Sequence, residues 1–137
     1  MRIIVSGSRN IDDYNILVDA INAIIEDNKL EIDEIIHKNG KGIDQLADRY
    51  AKENGIPVVI FKPDWKNIDV ADAQVEINKW GKQYNKNAAK DAERVAAEYA
   101  DAAIVIDNKW KEKDFLDMDL DVYTYEIPDE DMYTHEF

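Results

Sequence analysis

Residues 2–10 read RIIVSGSRN. A short run rich in β-branched residues indicates a strand that ends at Gly7, and the small polar residues after it indicate a loop. Either Asp12 or Asp13 is suited to cap a helix that follows the loop. Apolar residues then recur at helical spacing, at Leu17, Ala20, Ile21, Ile24 and Ile25. The chain therefore opens as a strand, a loop and an amphipathic helix.

The same succession recurs along the rest of the chain. Short apolar runs predict further strands at 34–37, 57–61, 102–106 and 121–127. Helical spacing predicts further helices at 43–53 and 88–100, and it predicts a short helix within 64–84 from Val70, Ala73, Ile77 and Trp80. Strands that alternate with helices are typical of βαβ units and of a parallel sheet covered by helices. The sequence thus predicts an α/β fold, a Rossmann-like open parallel sheet of about five strands with helices on both faces.

The domain organisation is simple. The sequence contains no internal repeat and no flexible linker, so a single domain is predicted for residues 1–127. An acidic stretch that begins at Pro128 is expected to form a loose tail over residues 128–137.

Charge and composition exclude several classes of function. The chain has 17 Lys and Arg residues against 30 Asp and Glu residues, a net charge of -13, so no nucleic-acid partner is expected. It has no cysteine, which excludes disulfides and thiolate chemistry and fits a cytoplasmic location. No apolar run is long enough for a signal peptide or a membrane span, so no membrane partner is expected. No metal-binding motif was found, and no metal is expected.

The first candidate binding element is the loop after the first strand. Ligands of open parallel sheets bind beyond the carboxyl ends of the strands, where this loop lies. Gly7 permits close approach of the backbone, Ser8 offers a hydroxyl group, and Arg9 offers a planar fork for phosphate or carboxylate.

The second candidate element follows the second strand and runs into a helix. Its residues are Asn39, Gly40, Lys41, Gly42, Ile43 and Asp44. Backbone N–H groups and the helix dipole at such a place favour an anion, and Lys41 adds a positive charge. Asp44 is suited either to cap the helix or to bind a ribose hydroxyl. The alternative is that both loops are ordinary turns with solvated charges.

These residues also carry a family resemblance. VSGSR at 5–9 resembles the opening (T/S)GSR motif of the SLOG superfamily, and HKNGKGIDQLA at 37–47 resembles the HGGARGADxLA motif of its YspA-like branch. GIPV at 55–58, then Phe61 and the PDW of 63–65, and later ADAAI at 100–104, follow in the family's order. The resemblance covers residues 2–107. It implies a Rossmann-like fold that binds nucleotides or nucleotide-derived ligands.

The chain also departs from the family pattern. Lys41 stands where the family has Arg, which keeps the charge but loses the bidentate fork. Residues 66–84 look like an insertion, with a lid, a partner surface or an ordinary surface helix as alternatives. The family's later Arg-Asn pair falls on Ala92 and Glu93.

The resemblance and the loops together predict a ligand-binding protein. It would hold a nucleotide or an ADP-ribose-like molecule as a carrier, sensor or sequestering protein, with no cofactor required. Gly7, Ser8 and Arg9 would meet one phosphate, the loop of Gly40, Lys41 and Gly42 another, and Trp65 would stack on a ring. A homo-oligomer is expected because SLOG relatives often assemble.

Two other functions are kept as alternatives. One is a phosphoribohydrolase-like cleavage of an N-glycosidic bond, for which Glu93 is the candidate catalytic carboxylate by position. The other is a protein-interaction module that uses the acidic residues of 107–137.

Overall fold

The computed structural model describes residues 1–64, 75–77, 80, 82–85 and 87–127. The strands are β1 (Arg2–Gly7), β2 (Glu34–His37), β3 (Val58–Ile60), β4 (Val75–Ile77), β5 (Gln83–Asn85), β6 (Ala102–Ile106) and β7 (Asp121–Tyr125). The helices are α1 (Tyr14–Asn28), α2 (Ile43–Glu53), α3 (Ala88–Tyr99) and α4 (Lys109–Asp117).

Within the described residues, the main sheet has five strands in the order β3-β2-β1-β6-β7. All neighbouring strands in it are parallel. In the register, Ile4 of β1 lies between Ile36 of β2 and Ala103 of β6. The chain builds outward from β1 to β3 and then returns to β6 on the other side of β1. The strand order therefore reverses at the β1–β6 pair, which is where open α/β sheets bind ligands.

Helices cover both faces of the sheet because side chains alternate along each strand. Ile3 and Val5 belong to a core cluster that contains residues of α1 and α2, such as Leu17 and Ala47. Ile4 belongs to a second cluster that contains residues of α3 and α4: Ala96, Ala97 and Phe115. The predicted Rossmann-like parallel sheet of five strands is confirmed.

Capping residues fix where two of the helices begin. Asp13, rather than Asp12, caps α1, where its side chain accepts a hydrogen bond from the N–H of Asn15 at 2.9 Å. Asn108 caps α4 in the same way, because its side chain accepts a hydrogen bond from the N–H of Lys111 at 3.1 Å. That cap places Lys111 in the first turn of α4, at the carboxyl edge of the sheet.

Two expectations about secondary structure need correction. Residues 75–77 form β4, which pairs antiparallel with β5, and not the short helix predicted within 64–84. Ile77 and Trp80 were counted on the apolar face of that helix, but they are 68% and 73% exposed. Val70 and Ala73, the other residues of that prediction, lie outside the described residues. Helix α4 was not predicted, because Phe115 is its one buried residue and leaves almost no apolar period.

The domain boundaries stay a prediction. The proposed tail at 128–137 and most of the proposed insertion at 66–84 lie outside the described residues. No helix in the described part of the chain has both the length and the apolar character needed to cross a membrane.

Candidate functional site

A cavity of about 270 Å³ lies at the carboxyl edge of the sheet, beside the ends of β1 and β2. The predicted site residues among its walls are Gly7, Arg9, Gly40, Lys41 and Asp44. Ser6, Lys38, Pro63, Ala89 and Lys111 complete the described wall. Within that wall, four side chains are cationic and one is acidic. We call this space the cationic cavity.

The first wall is the turn at the end of β1. A Cβ atom on Gly7 would lie 2.3 Å from the carbonyl oxygen of Ile106, so only glycine lets β1 and β6 stay this close. The N–H of Ser8 donates to the same carbonyl oxygen at 3.1 Å, and the hydroxyl of Ser8 accepts from the N–H of Asn10. Arg9 follows this fixed turn, is exposed, and reaches the cavity.

The second wall packs directly against the first. Gly42 has a φ of 71°, and a Cβ atom there would lie 2.5 Å from the carbonyl oxygen of Ser8. The N–H of Ile43, the first residue of α2, donates to that same carbonyl oxygen at 3.2 Å. Glycine at position 42 thus lets the two loops join.

Asp44 has a structural partner inside its own loop. Its Oδ2 accepts a hydrogen bond from the N–H of Gly40 at 2.9 Å, and the side chain of Gln45 donates to the carbonyl oxygen of Gly40 at 3.0 Å. The amides of Gly40 and Ile43, which were expected to be offered to an anion, are therefore engaged within the protein. These two amides are thus not offered to an anion.

His37 orients the beginning of the second loop. Its Nδ1 accepts a hydrogen bond from the N–H of Asn39 at 2.9 Å, so its Nε2 carries the proton and donates to Oδ1 of Asp48 at 2.9 Å. The ring is buried, and Asn39 takes a positive φ of 63°. Hydrogen bonds from Lys52 and His37 lower the pKa of Asp48, which keeps this acceptor ionised. His37 thus fixes the backbone at the beginning of the second loop.

Lys38 and Lys111 are the site residues that sequence reasoning missed. Their ammonium groups both bind Oε1 of Glu93, at 2.9 Å and 2.6 Å respectively. Glu93 is 2% exposed and does not line the cavity, whereas both lysines do. A signal for Lys111 was present in the sequence, because Asn108 three residues earlier is a good helix cap.

Opposing effects set the charges of this cluster. Burial raises the pKa of Glu93, but the hydrogen bond from Lys111 and the charge of Lys38 outweigh it, so the pKa lies below its usual value. Burial lowers the pKa of Lys38, and the attraction of Glu93 offsets this only in part. Burial also acts against the charge of Lys111, but the hydrogen bond to Glu93 prevails and raises its pKa.

The remaining predicted residues lie beside the cavity or outside the described part. Ser8, Asn39 and Gly42 belong to the two loops, but they are not part of the described wall. Trp65, predicted to stack on a ring, lies outside the described residues.

A second cavity of about 290 Å³ lies at the same edge, beside the ends of β6 and β7. Its charged residues are Asp107, Lys109, Glu112 and Glu126. We call it the acidic cavity, since three of these four side chains are acids.

Comparison with known proteins supports the resemblance over the first part of the chain. Residues 1–67 match the model of the YspA, cpYpsA-related SLOG family, and they contain both loops of the cationic cavity. The motif at 100–104, by which the resemblance was extended, lies beyond the matched residues. No match was found among curated proteins or among solved structures. Residues 1–67, just under half of the chain, are therefore similar to the YspA, cpYpsA-related SLOG family.

Proposed function

We propose that the cationic cavity binds the phosphate groups of a nucleotide or a nucleotide-derived, ADP-ribose-like ligand. One observation carries the proposal: Arg9, Lys38, Lys41 and Lys111 line a single cavity in a chain whose net charge is -13. A protein with a strong acid excess gains nothing in solubility by gathering cations, and gathered cations attract an anionic ligand. The match of residues 1–67 to a SLOG family model supports a nucleotide-related ligand at this general level.

The two loops supply distinct contacts in this proposal. Arg9 reaches the phosphate as a planar fork, and Lys41 adds a point charge from the facing loop. Gly7 and Gly40 lack side chains, which keeps this part of the wall open to a bulky group. Asp44 accepts a hydrogen bond from Gly40 and lines the cavity, and in this proposal its carboxylate accepts a second hydrogen bond, from a ribose hydroxyl.

The geometry favours binding over the two alternatives. A carboxylate that stabilises a sugar cation or activates water has to reach the ligand, whereas Glu93 lies outside the cavity wall and is bound by two lysines. The acidic interaction module gives no role to the cationic cavity. We therefore propose a carrier, sensor or sequestering role without a chemical step.

Native mass spectrometry of the purified protein tests this proposal. We expect a co-purifying nucleotide-like mass in the wild type, or binding from a panel of nucleoside monophosphates, nucleoside diphosphates and ADP-ribose derivatives. The double variant Arg9→Gln, Lys41→Gln should lose it. The matched control is Arg94→Gln, Lys113→Gln, which removes the same charges from exposed positions outside the cavity. Failure to bind any of these compounds, or equal binding by both double variants, contradicts the proposal.

A further inference from the structure

We propose that Lys38 and Lys111, held together by Glu93, form a second anion subsite in the cationic cavity. The ligand then carries two anionic groups, as a diphosphate-containing nucleotide derivative does. This inference rests on the proposed function and narrows its ligand class. Glu93 is a positioning residue in this account, because it acts on the ligand only through the two lysines.

The two lysines are built into the wall and are not flexible surface groups. Their side chains are 13% and 29% exposed, and Oε1 of Glu93 holds both ammonium groups within 2.9 Å. An ammonium group has three N–H donors. In the described part of the chain, Lys38 and Lys111 each use one of these donors, in a hydrogen bond to Glu93. The other donors remain for a group in the cavity that both lysines line.

The positive charges of this cluster are only partly neutralised. Two ammonium groups share one carboxylate, which leaves a positive charge that is mostly out of contact with water. A buried charge without a partner is costly, so the cluster is stabilised when an anion enters the cavity. The lowered pKa of Lys38 shows this cost, since burial and the neighbouring Lys111 both act against its protonated form.

The two subsites come from different parts of the chain. Arg9 and Lys41 belong to the two loops within the family match, and Lys38 directly precedes the second loop. Lys111 belongs to α4, beyond residue 67, and Glu93 to α3. The second subsite is thus completed by residues outside the matched region, which suits a ligand that extends from the loops toward α4.

Isothermal titration with inorganic phosphate and inorganic pyrophosphate separates one subsite from two. We expect the wild type to bind pyrophosphate at least about tenfold more tightly than phosphate, because two sets of charge-assisted hydrogen bonds form. Lys111→Met should lose most of that preference while its affinity for phosphate changes less than about threefold. The matched control Lys113→Met removes an exposed lysine of the same helix and should behave as the wild type.

A second measurement covers the case in which Lys111→Met does not fold. Pyrophosphate is titrated into wild-type protein with ¹³C-labelled lysines, and the side-chain resonances of Lys38, Lys41 and Lys111 should all move. If only Lys41 moves, or if Lys111→Met and Lys113→Met prefer pyrophosphate equally, the second subsite is refuted while the proposed function stands. If no lysine moves and neither anion binds, both are refuted.

Discussion

The cationic and acidic cavities lie at the same edge of one sheet and have similar volumes, about 270 and 290 Å³, but opposite charge. They share no described wall residue. Helix α4 takes part in both, since Lys111 lines the cationic cavity and its neighbour Glu112 lines the acidic one. Two adjacent residues of α4 therefore give the two cavities side chains of opposite charge.

This difference shows that net charge is a poor guide to what a site binds. The chain carries -13, yet its cations are brought together at the topological switch point by elements far apart in sequence. Burial adds to the effect at Lys38 and Lys111, because mostly buried charges are screened less by salt than exposed ones. In the acidic cavity, by contrast, the Lys109–Glu126 pair at 3.7 Å is exposed.

The largest expected effect comes from the contact that joins the two loops of the cationic cavity. Gly42→Ala places a Cβ atom 2.5 Å from the carbonyl oxygen of Ser8 at a φ of 71°. We expect a loss of about 3 kcal/mol in the free energy of unfolding, from left-handed strain and steric overlap together. Chemical denaturation measures it.

Gly55→Ala is the matched control for that substitution. Gly55 also has a positive φ, 66°, but no atom lies within 4 Å of a Cβ built there. Gly55→Ala should lower the free energy of unfolding by only about 1 kcal/mol, because backbone strain is its one cost. Equal losses in the two variants would contradict the close packing of the loops.

The next effect concerns the carboxylate behind the cationic cavity. Glu93→Gln leaves two mostly buried lysines without their counter-charge, and we expect a loss of about 2 kcal/mol in stability. Glu98→Gln, an exposed position on the same helix, should change stability by less than about 0.5 kcal/mol. Chemical denaturation of both variants is the measurement. A Glu93→Gln variant as stable as the wild type would show that Glu93 does not stabilise the two lysines.

The pH dependence of ligand affinity gives a smaller effect. The pKa of Lys38 lies below the usual 10.5 because of burial, and the protonated form binds an anion. Affinity for adenosine diphosphate should therefore decrease as the pH rises through the alkaline range below 10.5. Lys111, whose pKa is raised by Glu93, keeps its charge over this range.

Lys38→Arg provides the control for this profile, because arginine does not lose its proton in this range. Titration calorimetry at several pH values should give a nearly constant affinity for this variant. If the affinity of Lys38→Arg decreases with pH as steeply as that of the wild type, a group other than Lys38 causes the pH dependence.

The smallest expected effect comes from the acidic cavity. Glu112→Gln, Glu126→Gln should change the affinity for adenosine diphosphate by less than about twofold at physiological salt, where the Debye length is about 8 Å. A tenfold change would mean that the two cavities act as one site. Equilibrium binding of adenosine diphosphate at 0.15 M ionic strength distinguishes these two outcomes.

Local signals account for what the sequence predicted correctly. The alternation of strands and helices is visible in short windows. The glycines of the two loops and the cations Arg9 and Lys41 are visible in the same way, and their role in ligand binding stays a prediction. Both loops were expected at the carboxyl edge of the sheet, and the structure shows in addition that Gly42 packs against Ser8 there.

What the sequence did not reveal depends on long-range contacts. Glu93 lies 55 positions from Lys38 and 18 from Lys111, and neither periodicity nor a motif links residues at such distances. Glu93 was therefore considered as a catalytic carboxylate by its position alone, whereas the structure pairs it with two lysines. Helix α4 escaped notice for a related reason, since a helix that buries only Phe115 has no apolar stripe to recognise.

The most direct test of the account is a two-dimensional amide NMR titration of the full chain with adenosine diphosphate. The account predicts that shifts concentrate at residues 6–9, 38–44 and around Lys111, while Thr124, Tyr125 and Glu126 of the acidic cavity do not move. Shifts centred on the acidic cavity, or no shifts at millimolar ligand, would contradict it.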